Sequence, residues 1–269
     1  MPVALAVNDD GIESIGIRSL VAELSVAGFK VYVSAPREQM SGMSKTVSFK
    51  RLGRNGEVEI RRVRLEGAEE AWALNATPAE SVLIGLELMG SRPDVVVSGV
   101  NIGPNLGLED FFTSGTIGAA IEASLHDIPA IAVSLVSYKL VPEEHYRLAG
   151  RIAARLARGY PLWSRLYDLL NLNVPLSPKG VMITRLALNS YRLRYELNGS
   201  VMKFKEGDVR ESYWDAQEGS DVWAALNGIV SVTPIKIRAL LRESSDGAPL
   251  LVLKRELEEL VRGEAHRSK

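Results

Sequence analysis

The chain has 269 residues, of which 46% are apolar and 24% charged, so it can build a buried core and is not intrinsically disordered. The formal net charge of -1 argues against a nucleic-acid polymer or a membrane as partner. The absence of cysteine excludes disulfides, thiolate nucleophiles and sulfur-ligated zinc. The first residues lack a basic region, and their apolar run ends in two aspartates. We therefore expect neither a signal peptide nor a membrane span, and a cytoplasmic location.

The N-terminal part predicts a strand, a helix and a second strand. Val3 to Val7 is a short apolar run that the Asn-Asp-Asp-Gly turn at 8–11 closes. Apolar residues then recur at helical spacing until Gly28, and Lys30 to Ala35 is the next buried run. Residues 36–55 are rich in Ser, Gly and Lys, which predicts an exposed loop or loose hairpin able to cover a site.

The middle of the chain continues this alternation. Glu57 to Leu65 and Ala71 to Leu74 predict short strands. Residues 77–80 form a capping box with proline at the first helical position, so a helix follows. Asp94 to Val100 is nearly all apolar, as in a strand covered on both faces, and it leads into the Gly/Asn loop Asn101 to Gly107.

Two further pairs of helix and strand complete the predicted core. Ser114 to Leu125 and Glu143 to Arg158 have helical patterns, while Ala130 to Val136 and Leu169 to Val174 are apolar runs of strand length. Right-handed crossovers between such strands give a mostly parallel sheet with helices on both faces. We therefore expect an α/β fold, with a three-layer α/β/α core over residues 1–175.

The pattern changes after Pro175. Val181 to Leu188 and Tyr195 to Lys205 alternate like antiparallel strands, and Asn198-Gly199 predicts a hairpin turn within the second. A long hairpin with few core residues is marginal on its own, so we expect it to pack against another subunit.

Two more elements are predicted towards the C-terminus. Gly228 to Pro234 indicates a returning strand, and Pro249 to Val261 an amphipathic helix. We expect residues 176–269 to form an added arm that packs against another subunit, in a homodimer or homotetramer.

Ligands of open α/β sheets bind at the carboxyl ends of the strands, and polar clusters are expected there. The first is Asp9-Asp10, where Gly11 lets the chain leave strand geometry so that both carboxylates can converge. Hard divalent ions such as Mg²⁺ or Mn²⁺ take one or two carboxylates, neutral oxygens and waters. The alternative is a solvated Asp-Gly turn without a ligand.

Two other clusters offer neutral oxygens and free N–H groups. The segment 37–44 contains Ser41 and Ser44, whose hydroxyls could add a neutral ligand and contact a phosphate. Residues 98–107 form a glycine-rich loop, and Thr-Ser-Gly-Thr at 113–116 opens a helix whose N–H groups and dipole favour phosphate. The alternative is that the first of these residues only cap the helix.

The charge balance favours a phosphate ester as the ligand. Two aspartates cancel a dication, Asn101 and Ser41 add no charge, and the helix end that accepts anions is left unpaired. His126 and His145 lack partners at metal-ligand spacing, so we assign them no role.

In this order, the motifs resemble those of the SurE family of survival-protein nucleotidases, and the resemblance spans most of the chain. The matching motifs are Asn8-Asp9-Asp10-Gly11, Gly16-Ile17, Ala35-Pro36, Ser41-Gly42, Thr77-Pro78, Ser98-Gly99-Val100-Asn101, Asn105-Leu106-Gly107, Ser114-Gly115-Thr116, Asn171, Asn173-Val174-Pro175 and Val230-Ser231-Val232-Thr233-Pro234. The resemblance implies a Rossmann-like fold with a C-terminal oligomerisation arm, and a metal-dependent phosphatase acting on nucleoside monophosphates (a 5′/3′-nucleotidase).

The resemblance also implies roles for individual residues. One divalent ion per subunit, Mg²⁺ or Mn²⁺, would be bound by Asp9, Asp10, Ser41 and Asn101. Substrate would be bound by Ser44, Asn105, Ser114, Gly115 and Thr116. The catalytic residues would be Asp9, Asp10, Asn105 and Ser114. Two departures from the family pattern occur: Thr113 replaces the usual aromatic residue, and Glu80-Ser81 replace the usual Asp-Cys.

The resulting hypothesis is a phosphomonoesterase whose ion polarises the phosphoryl oxygen and could also generate or orient a hydroxide nucleophile. N–H groups and Asn105 would stabilise equatorial charge in the transition state. Asp10 could act as a base as well as a ligand, and Ser114 could contact the phosphate or attack it.

Two other functions fit the same residues. An aspartyl-phosphate phosphatase would use one aspartate as a covalent nucleophile, and a fluoride adduct of aluminium or beryllium bonded to Asp9 or Asp10 would support it. A non-catalytic nucleotide-binding regulator would only sense a ligand in the same crevice. Metal-dependent phosphate release from AMP or GMP, lost when either aspartate becomes asparagine, would exclude the regulator.

Overall fold

The structure, a computed structural model, describes residues 1–47, 56–188, 194–205 and 216–241. Contacts divide the chain into two units, Met1–Ile237 and Arg238–Lys269. Within the described ranges, no helix combines the length and the apolar character needed to span a membrane.

The elements follow the predicted alternation. The strands are β1 Val3–Val7, β2 Lys30–Pro36, β3 Ile60–Val63, β4 Glu70–Leu74, β5 Val95–Ile102, β6 Ala130–Leu135, β7 Leu169–Val174, β8 Gly180–Ile183, β9 Arg194–Asn198, β10 Val201–Lys205 and β11 Ile229–Ile235. The helices are α1 Ile15–Val26, α2 Pro78–Met89, α3 Gly107–Thr113, α4 Gly115–Leu125, α5 Glu143–Arg158, α6 Tyr160–Trp163 and α7 Asp221–Leu226, followed by a 3₁₀ helix at Ile237–Leu241. The sequence patterns did not predict α3, α6 or α7.

A nine-stranded sheet forms the centre of the first unit, in the order β3-β4-β2-β1-β5-β6-β7-β11-β8. The strands from β4 to β7 are parallel to one another, whereas β3 and β11 run antiparallel to β4 and β7. One buried core packs α1 and α5 against one face, and a second core packs α2 and α4 against the other. The predicted Rossmann-like α/β/α architecture is therefore confirmed.

The order of the strands reverses at β1. From β1 the chain moves outward to β2 and β4, and it then returns through α2 to β5 on the other side of β1. At such a reversal a crevice opens at the carboxyl ends of the strands, where ligands bind in this class of fold. Asp9 and Asp10 directly follow β1, and Asn101 lies near the end of β5, so both strands bring polar side chains to this crevice.

The start of α2 follows from the capping box predicted in the sequence. Thr77 Oγ1 accepts from Glu80 N–H at 3.2 Å, while the Glu80 carboxylate accepts from Thr77 N–H at 2.9 Å. Pro78 fills the first helical position and Gly90, with φ of 59°, ends the helix. Local chemistry therefore places both ends of α2.

The segment after Pro175 differs from the prediction in one strand. β8 spans only Gly180–Ile183 of the region predicted at Val181 to Leu188, and its sheet partner β11 runs parallel to it, so the predicted antiparallel pairing is wrong there. Val181 and Ile183 are exposed because β8 is an edge strand. Alternation reports which face is buried and contains no information about the direction of the neighbouring strand.

The other predicted features of this segment have mixed outcomes. β9 and β10 form an antiparallel hairpin whose turn contains Gly199 with φ of 62°, as the Asn-Gly signal predicts. β11 is the expected returning strand and pairs with β7. The predicted helix Pro249 to Val261, and residues 48–55 of the predicted loop, lie outside the described residues.

Candidate active site

Asp9 and Asp10 lie in a turn that the buried Asn8 shapes. Asn8 Nδ2 donates to Gly11 O at 2.8 Å and to Ser14 Oγ at 2.9 Å. Gly11 has φ of 93°, a left-handed conformation that glycine adopts without a Cβ clash. The chain therefore leaves strand geometry at the two carboxylates, as the sequence predicts.

The N-terminus of α4 packs directly against Asp9. Thr116 Oγ1 donates a short hydrogen bond of 2.5 Å to Asp9 Oδ1. A Cβ at Gly115 would lie 2.9 Å from Asp9 Cβ, so only glycine allows the helix to approach this closely. The sequence predicted Thr116 as a phosphate-binding residue, and its hydroxyl also orients a carboxylate, a contact that the motif pattern did not predict.

Asp10 contacts the end of β5. Asp10 Oδ2 accepts from Ile102 N–H at 3.1 Å. The adjacent Asn101 is buried, and its Nδ2 donates to Gly103 O at 2.8 Å. Because no described residue donates to Asn101 Oδ1, this amide oxygen remains available as a hard ligand close to Asp10.

The loop after β2 brings Ser41 to the same end of the sheet. Met40 N–H donates to the backbone oxygen of Asp9 at 2.7 Å, which places the following Ser41 beside the carboxylate turn. Ser41 is exposed, and its Oγ accepts from Gln39 Nε2 at 3.2 Å. The predicted ligands thus come from chain segments that meet at the crevice, while the ligand role of Ser41 stays a prediction.

Ser44 anchors the same loop to the corner between α3 and α4. Its N–H donates to Thr113 O at 3.0 Å, and its hydroxyl donates to Phe112 O. Lys45 pairs with the buried Glu122 of α4, so the next residue is tethered as well. The hydroxyl hydrogen of Ser44 is therefore engaged by the backbone, and its substrate-binding role stays a prediction that depends on the hydroxyl oxygen.

Buried asparagines of β7 hold Asn105. Asn105 N–H donates to Asn173 Oδ1 at 2.8 Å, and Asn105 O accepts from Asn171 Nδ2 and Asn173 Nδ2 at 2.8 and 3.0 Å. Asn105 Nδ2 donates to Ser134 Oγ at 2.7 Å, which leaves its second N–H hydrogen without a described acceptor. Sequence reasoning identified Asn171 and Asn173 only as motif residues, although two asparagines in a buried strand are themselves a signal.

The N-terminus of α4 has the hydroxyl and N–H groups that the sequence predicts for an anion site. Ser114 caps the helix, because its Oγ accepts from Ile117 N–H at 3.2 Å. The capping role considered for Ser114 is therefore confirmed. The N–H group of Gly115 lies in the first turn, where no intrahelical acceptor exists, and it has no acceptor among the described residues. The N–H group of Thr116 faces the Asp9 carboxylate and lowers the pKa of that carboxyl.

The electrostatics of the carboxylates favour a bound cation. Burial, together with the negative charge of Asp10, raises the pKa of Asp9 to about 7. Burial also raises the pKa of Asp10, although the hydrogen bond from Ile102 opposes the rise. No ion pair joins either carboxylate to a basic side chain among the described residues. A divalent ion fits this pair, and the oxygens of Asn101 and Ser41 suit Mg²⁺ or Mn²⁺.

Among the described residues, the site has no third acidic or histidine side chain that could serve as a ligand. Nowhere in the described part of the chain do three or more His, Asp or Glu side chains gather as a metal site. His126 pairs with Glu122 at 3.3 Å, which agrees with its having no assigned role. Any ion bound by Asp9 and Asp10 would therefore depend on neutral oxygens and water for its other ligands.

Tyr146 of α5 is a neighbour of the site that the sequence analysis did not predict. It is buried, and burial together with the negative charge of Asp10 raises the pKa of its phenol. Its position in the apolar stripe of an amphipathic helix gave no sign of this proximity, because the same pattern is typical of core tyrosines.

The metal-free protein is expected to lose stability as the pH rises from about 4 to about 7. Over this interval folded Asp9, with a pKa of about 7, keeps a proton that the unfolded chain has already released, because the ordinary pKa of an aspartate is 3.8. Each pH unit costs up to about 1.4 kcal/mol, or about 4 kcal/mol in total. Urea unfolding in EDTA at several pH values measures the effect as the difference between wild type and Asp9→Asn. A wild-type excess stability that grows with pH would contradict it.

Comparison with known proteins establishes the family. Residues 4–193 match the family profile described as Survival protein SurE. The chain belongs to the SurE family. The 5′-nucleotidase SurE of Archaeoglobus fulgidus is 38% identical over 252 residues, covering 87% of this chain and 90% of that protein. The 5′-nucleotidase SurE 1 of Thermus thermophilus is 36% identical over 248 residues, covering 87% and 91%.

A solved structure supports the same assignment to SurE. The crystal structure of the SurE protein from Aquifex aeolicus matches with a TM-score of 0.70 and 28% identity, covering 90% of this chain and 100% of that one. The family resemblance predicted from the motifs is therefore confirmed, and so is the Rossmann-like fold that it implied. The oligomerisation role of the C-terminal arm stays a prediction.

The residues that depart from the SurE motif pattern make local hydrogen bonds. The Thr113 hydroxyl donates to Glu109 O at 3.0 Å within its own helix, while its backbone oxygen accepts from Ser44. Glu80 completes the capping box of α2, and Ser81 Oγ donates to Thr77 O at 2.9 Å. Both departures are therefore compatible with the carboxylate pair of Asp9 and Asp10.

Proposed function

We propose that this SurE protein is a divalent-metal-dependent nucleotidase that hydrolyses nucleoside monophosphates to a nucleoside and phosphate, with 5′ or 3′ esters as substrates. The observation that carries the proposal is the contact between the buried carboxylate of Asp9, which has no basic partner among the described residues, and the N-terminus of α4. A cation site and an anion site are thereby adjacent, as phosphate ester hydrolysis requires. The relatives named 5′-nucleotidase support the substrate class.

The divalent ion, Mg²⁺ or Mn²⁺, would be held by Asp9, Asp10, Asn101 and Ser41. When bound, it supplies positive charge that polarises a phosphoryl oxygen and activates water. The burial of Asp9 lowers the local dielectric constant, which strengthens every charge interaction in the site. Asp10 Oδ1, the oxygen that the Ile102 hydrogen bond leaves free, is the acceptor that we propose for the proton of the attacking water.

The phosphate would bind at the end of α4. The first-turn N–H group of Gly115 donates to an equatorial oxygen, and the helix dipole favours the negative charge of the phosphate. Thr116, whose N–H and hydroxyl both face the Asp9 carboxylate, adjoins the phosphate and links it to the ion site. The second Nδ2 hydrogen of Asn105 and the hydroxyl hydrogen of Ser114 add further donors. Because the backbone of Asn105 is fixed by hydrogen bonds, its donor is preorganised and costs little reorganisation during the reaction.

Phosphate release from a substrate panel tests the proposal. The full-length protein is assayed with 5′- and 3′-AMP and GMP in Mg²⁺, Mn²⁺, Co²⁺ or EDTA. We expect turnover of nucleoside monophosphates that EDTA abolishes and that divalent ion restores. No turnover of any phosphomonoester with any ion would overturn the proposal and favour a nucleotide-binding regulator. A beryllium fluoride adduct bonded to Asp9 or Asp10 would instead favour an aspartyl-phosphate enzyme.

We also propose that the protein acts in the cytoplasm as a homodimer or homotetramer assembled through its C-terminal segment. Leu197 and Met202 face each other across the β9–β10 hairpin and are 68% and 59% exposed. Val181 and Ile183 of the edge strand β8 are similarly exposed. Apolar surface of this kind is typical of interfaces. Sedimentation of the wild type and of Leu197→Arg tests assembly, and a monomeric wild type would contradict it.

A further inference from the structure

We propose that Asp221, which lies far along the chain from the motifs of the site, is a positioning residue. It would position residues 105–107, the loop segment that contains the proposed phosphate donor Asn105. The proposal rests on the proposed nucleotidase function and deepens it. Asp221 is the first residue of α7 and has no exposed surface. Its carboxylate connects the segment after Pro175 to the loop that contains Asn105.

Each oxygen of the Asp221 carboxylate accepts backbone N–H groups from different parts of the chain. Oδ2 accepts from Gly107 N–H at 2.7 Å. Oδ1 accepts from Ala187 N–H and from its own neighbour Val222 N–H, each at 2.9 Å. Burial raises the pKa of this carboxyl, and the N–H donors oppose the rise. The side chain is therefore held in one orientation by three donors.

The hydrogen bond from Gly107 N–H to Asp221 connects this carboxylate to the candidate site. Three consecutive residues of the loop give their N–H groups to side chains: Asn105 to Asn173, Leu106 to Asp110, and Gly107 to Asp221. Of these acceptors, only Asp221 comes from the segment after Pro175. The loop therefore depends on that segment for one of its three fixed backbone groups.

Asp221 also caps α3 from a distant part of the chain. α3 begins at Gly107, and the residue before it, Leu106, has no side chain that could accept a hydrogen bond from the first turn. A carboxylate at a helix N-terminus satisfies a free N–H group and complements the helix dipole. The proposed phosphate donors Asn105 and Ser114 flank this helix, so fixing the start of α3 fixes the spacing between them.

A matched variant separates positioning from mere stabilisation of α7. Ser220 precedes Asp221 and caps the same helix, because its Oγ accepts from Trp223 N–H at 3.2 Å and donates to Gln217 O at 2.6 Å. Ser220→Ala removes a cap from α7 and lowers stability, but it leaves the hydrogen bond from Gly107 to Asp221 in place.

The test compares wild type, Asp221→Asn, Asp221→Ala and Ser220→Ala as full-length proteins. Thermal unfolding, Mn²⁺ binding by electron paramagnetic resonance, inhibition by inorganic phosphate, and kcat and KM for AMP are measured at a temperature at which all variants are folded. In Asp221→Asn, which keeps the shape of the side chain, we expect kcat/KM to fall about tenfold or more and phosphate inhibition to weaken, with Mn²⁺ affinity unchanged. Ser220→Ala is expected to keep kcat/KM within about twofold of wild type.

Two results would overturn the positioning role. One is wild-type kcat/KM and phosphate inhibition in folded Asp221→Asn, and the other is an equal loss of activity in Ser220→Ala. If Asp221→Ala does not fold, Asp221→Asn decides. If the wild type hydrolyses no phosphomonoester, the proposed function fails separately, and direct binding of inorganic phosphate to wild type and Asp221→Asn still measures whether Asp221 orders the loop.

Discussion

Asp9→Asn is expected to abolish metal-dependent phosphate release while making the metal-free protein more stable at pH 8. The variant replaces a carboxylate that would contact the ion with a neutral amide, and an ion that contributes several kcal/mol to the transition state corresponds to at least about a 10³-fold loss in kcat/KM. At pH 8, above its pKa of about 7, wild-type Asp9 carries a buried negative charge, and it has no basic partner among the described side chains. Its removal should therefore raise the free energy of unfolding by about 1 to 4 kcal/mol.

Misfolding would lower both activity and stability. A loss of activity together with a gain in stability therefore points to the removed carboxylate itself. Asp10→Asn should lose activity similarly, whereas Glu144→Gln, an exposed carboxylate at the start of α5, serves as a control that changes neither quantity. Unfolding curves in EDTA, Mn²⁺-induced shifts in Tm and AMP hydrolysis are the measurements. Retained metal-dependent turnover in both aspartate variants would remove these carboxylates from the mechanism.

Gly115→Ala is expected to lower kcat/KM by about 10²-fold and to destabilise the fold by about 1 to 3 kcal/mol. The added Cβ would lie 2.9 Å from Asp9 Cβ, 3.0 Å from Asp9 Oδ2 and 3.1 Å from Pro78 Cγ. These atoms belong to short or ring-closed side chains that cannot rotate away, so the helix end or the carboxylate must shift. A displacement of about 1 Å between the anion and cation sites is enough for such a loss.

The direction of the Gly115→Ala effect opposes helix propensity, which favours alanine over glycine by about 1 kcal/mol inside helices. Gly180→Ala is the matched control, because no heavy atom lies within 4 Å of a Cβ at that position. Steady-state kinetics and thermal unfolding of both variants provide the comparison. A fully active and more stable Gly115→Ala would show that the close approach of α4 to Asp9 does not matter for catalysis.

Local sequence patterns predicted most of the helices and strands because local energetic preferences determine where those elements form. The apolar runs, the capping box at Thr77 and the Asn-Gly turn of the hairpin each report a local energetic preference that the fold retains. α3, α6 and α7 have only seven, four and six residues, so none has room for a repeated apolar stripe. The direction of β8 was not predictable for another reason, since it depends on a partner strand distant in sequence.

The candidate site likewise has residues that the sequence predicted and contacts that it did not. Asp9, Asp10 and Asn101 were predictable because parallel strands deliver their ends to one edge of the sheet. The contacts that hold Asn105 and Gly107 were not, because Asn173 and Asp221 are distant from them in sequence and lack a motif that links acceptor to donor. Such pairs form only through the tertiary fold, and one sequence without its structure does not display them.

The dependence of the Gly107 amide on Asp221 has a consequence for biosynthesis. Asp9, Asp10 and Asn101 leave the ribosome early, whereas the carboxylate that ties down the start of α3 is translated 114 residues after Gly107. A nascent chain thus contains the side chains that we propose as ion ligands well before the loop proposed to bind phosphate is held in place. Hydrolysis should therefore begin only once translation has passed α7.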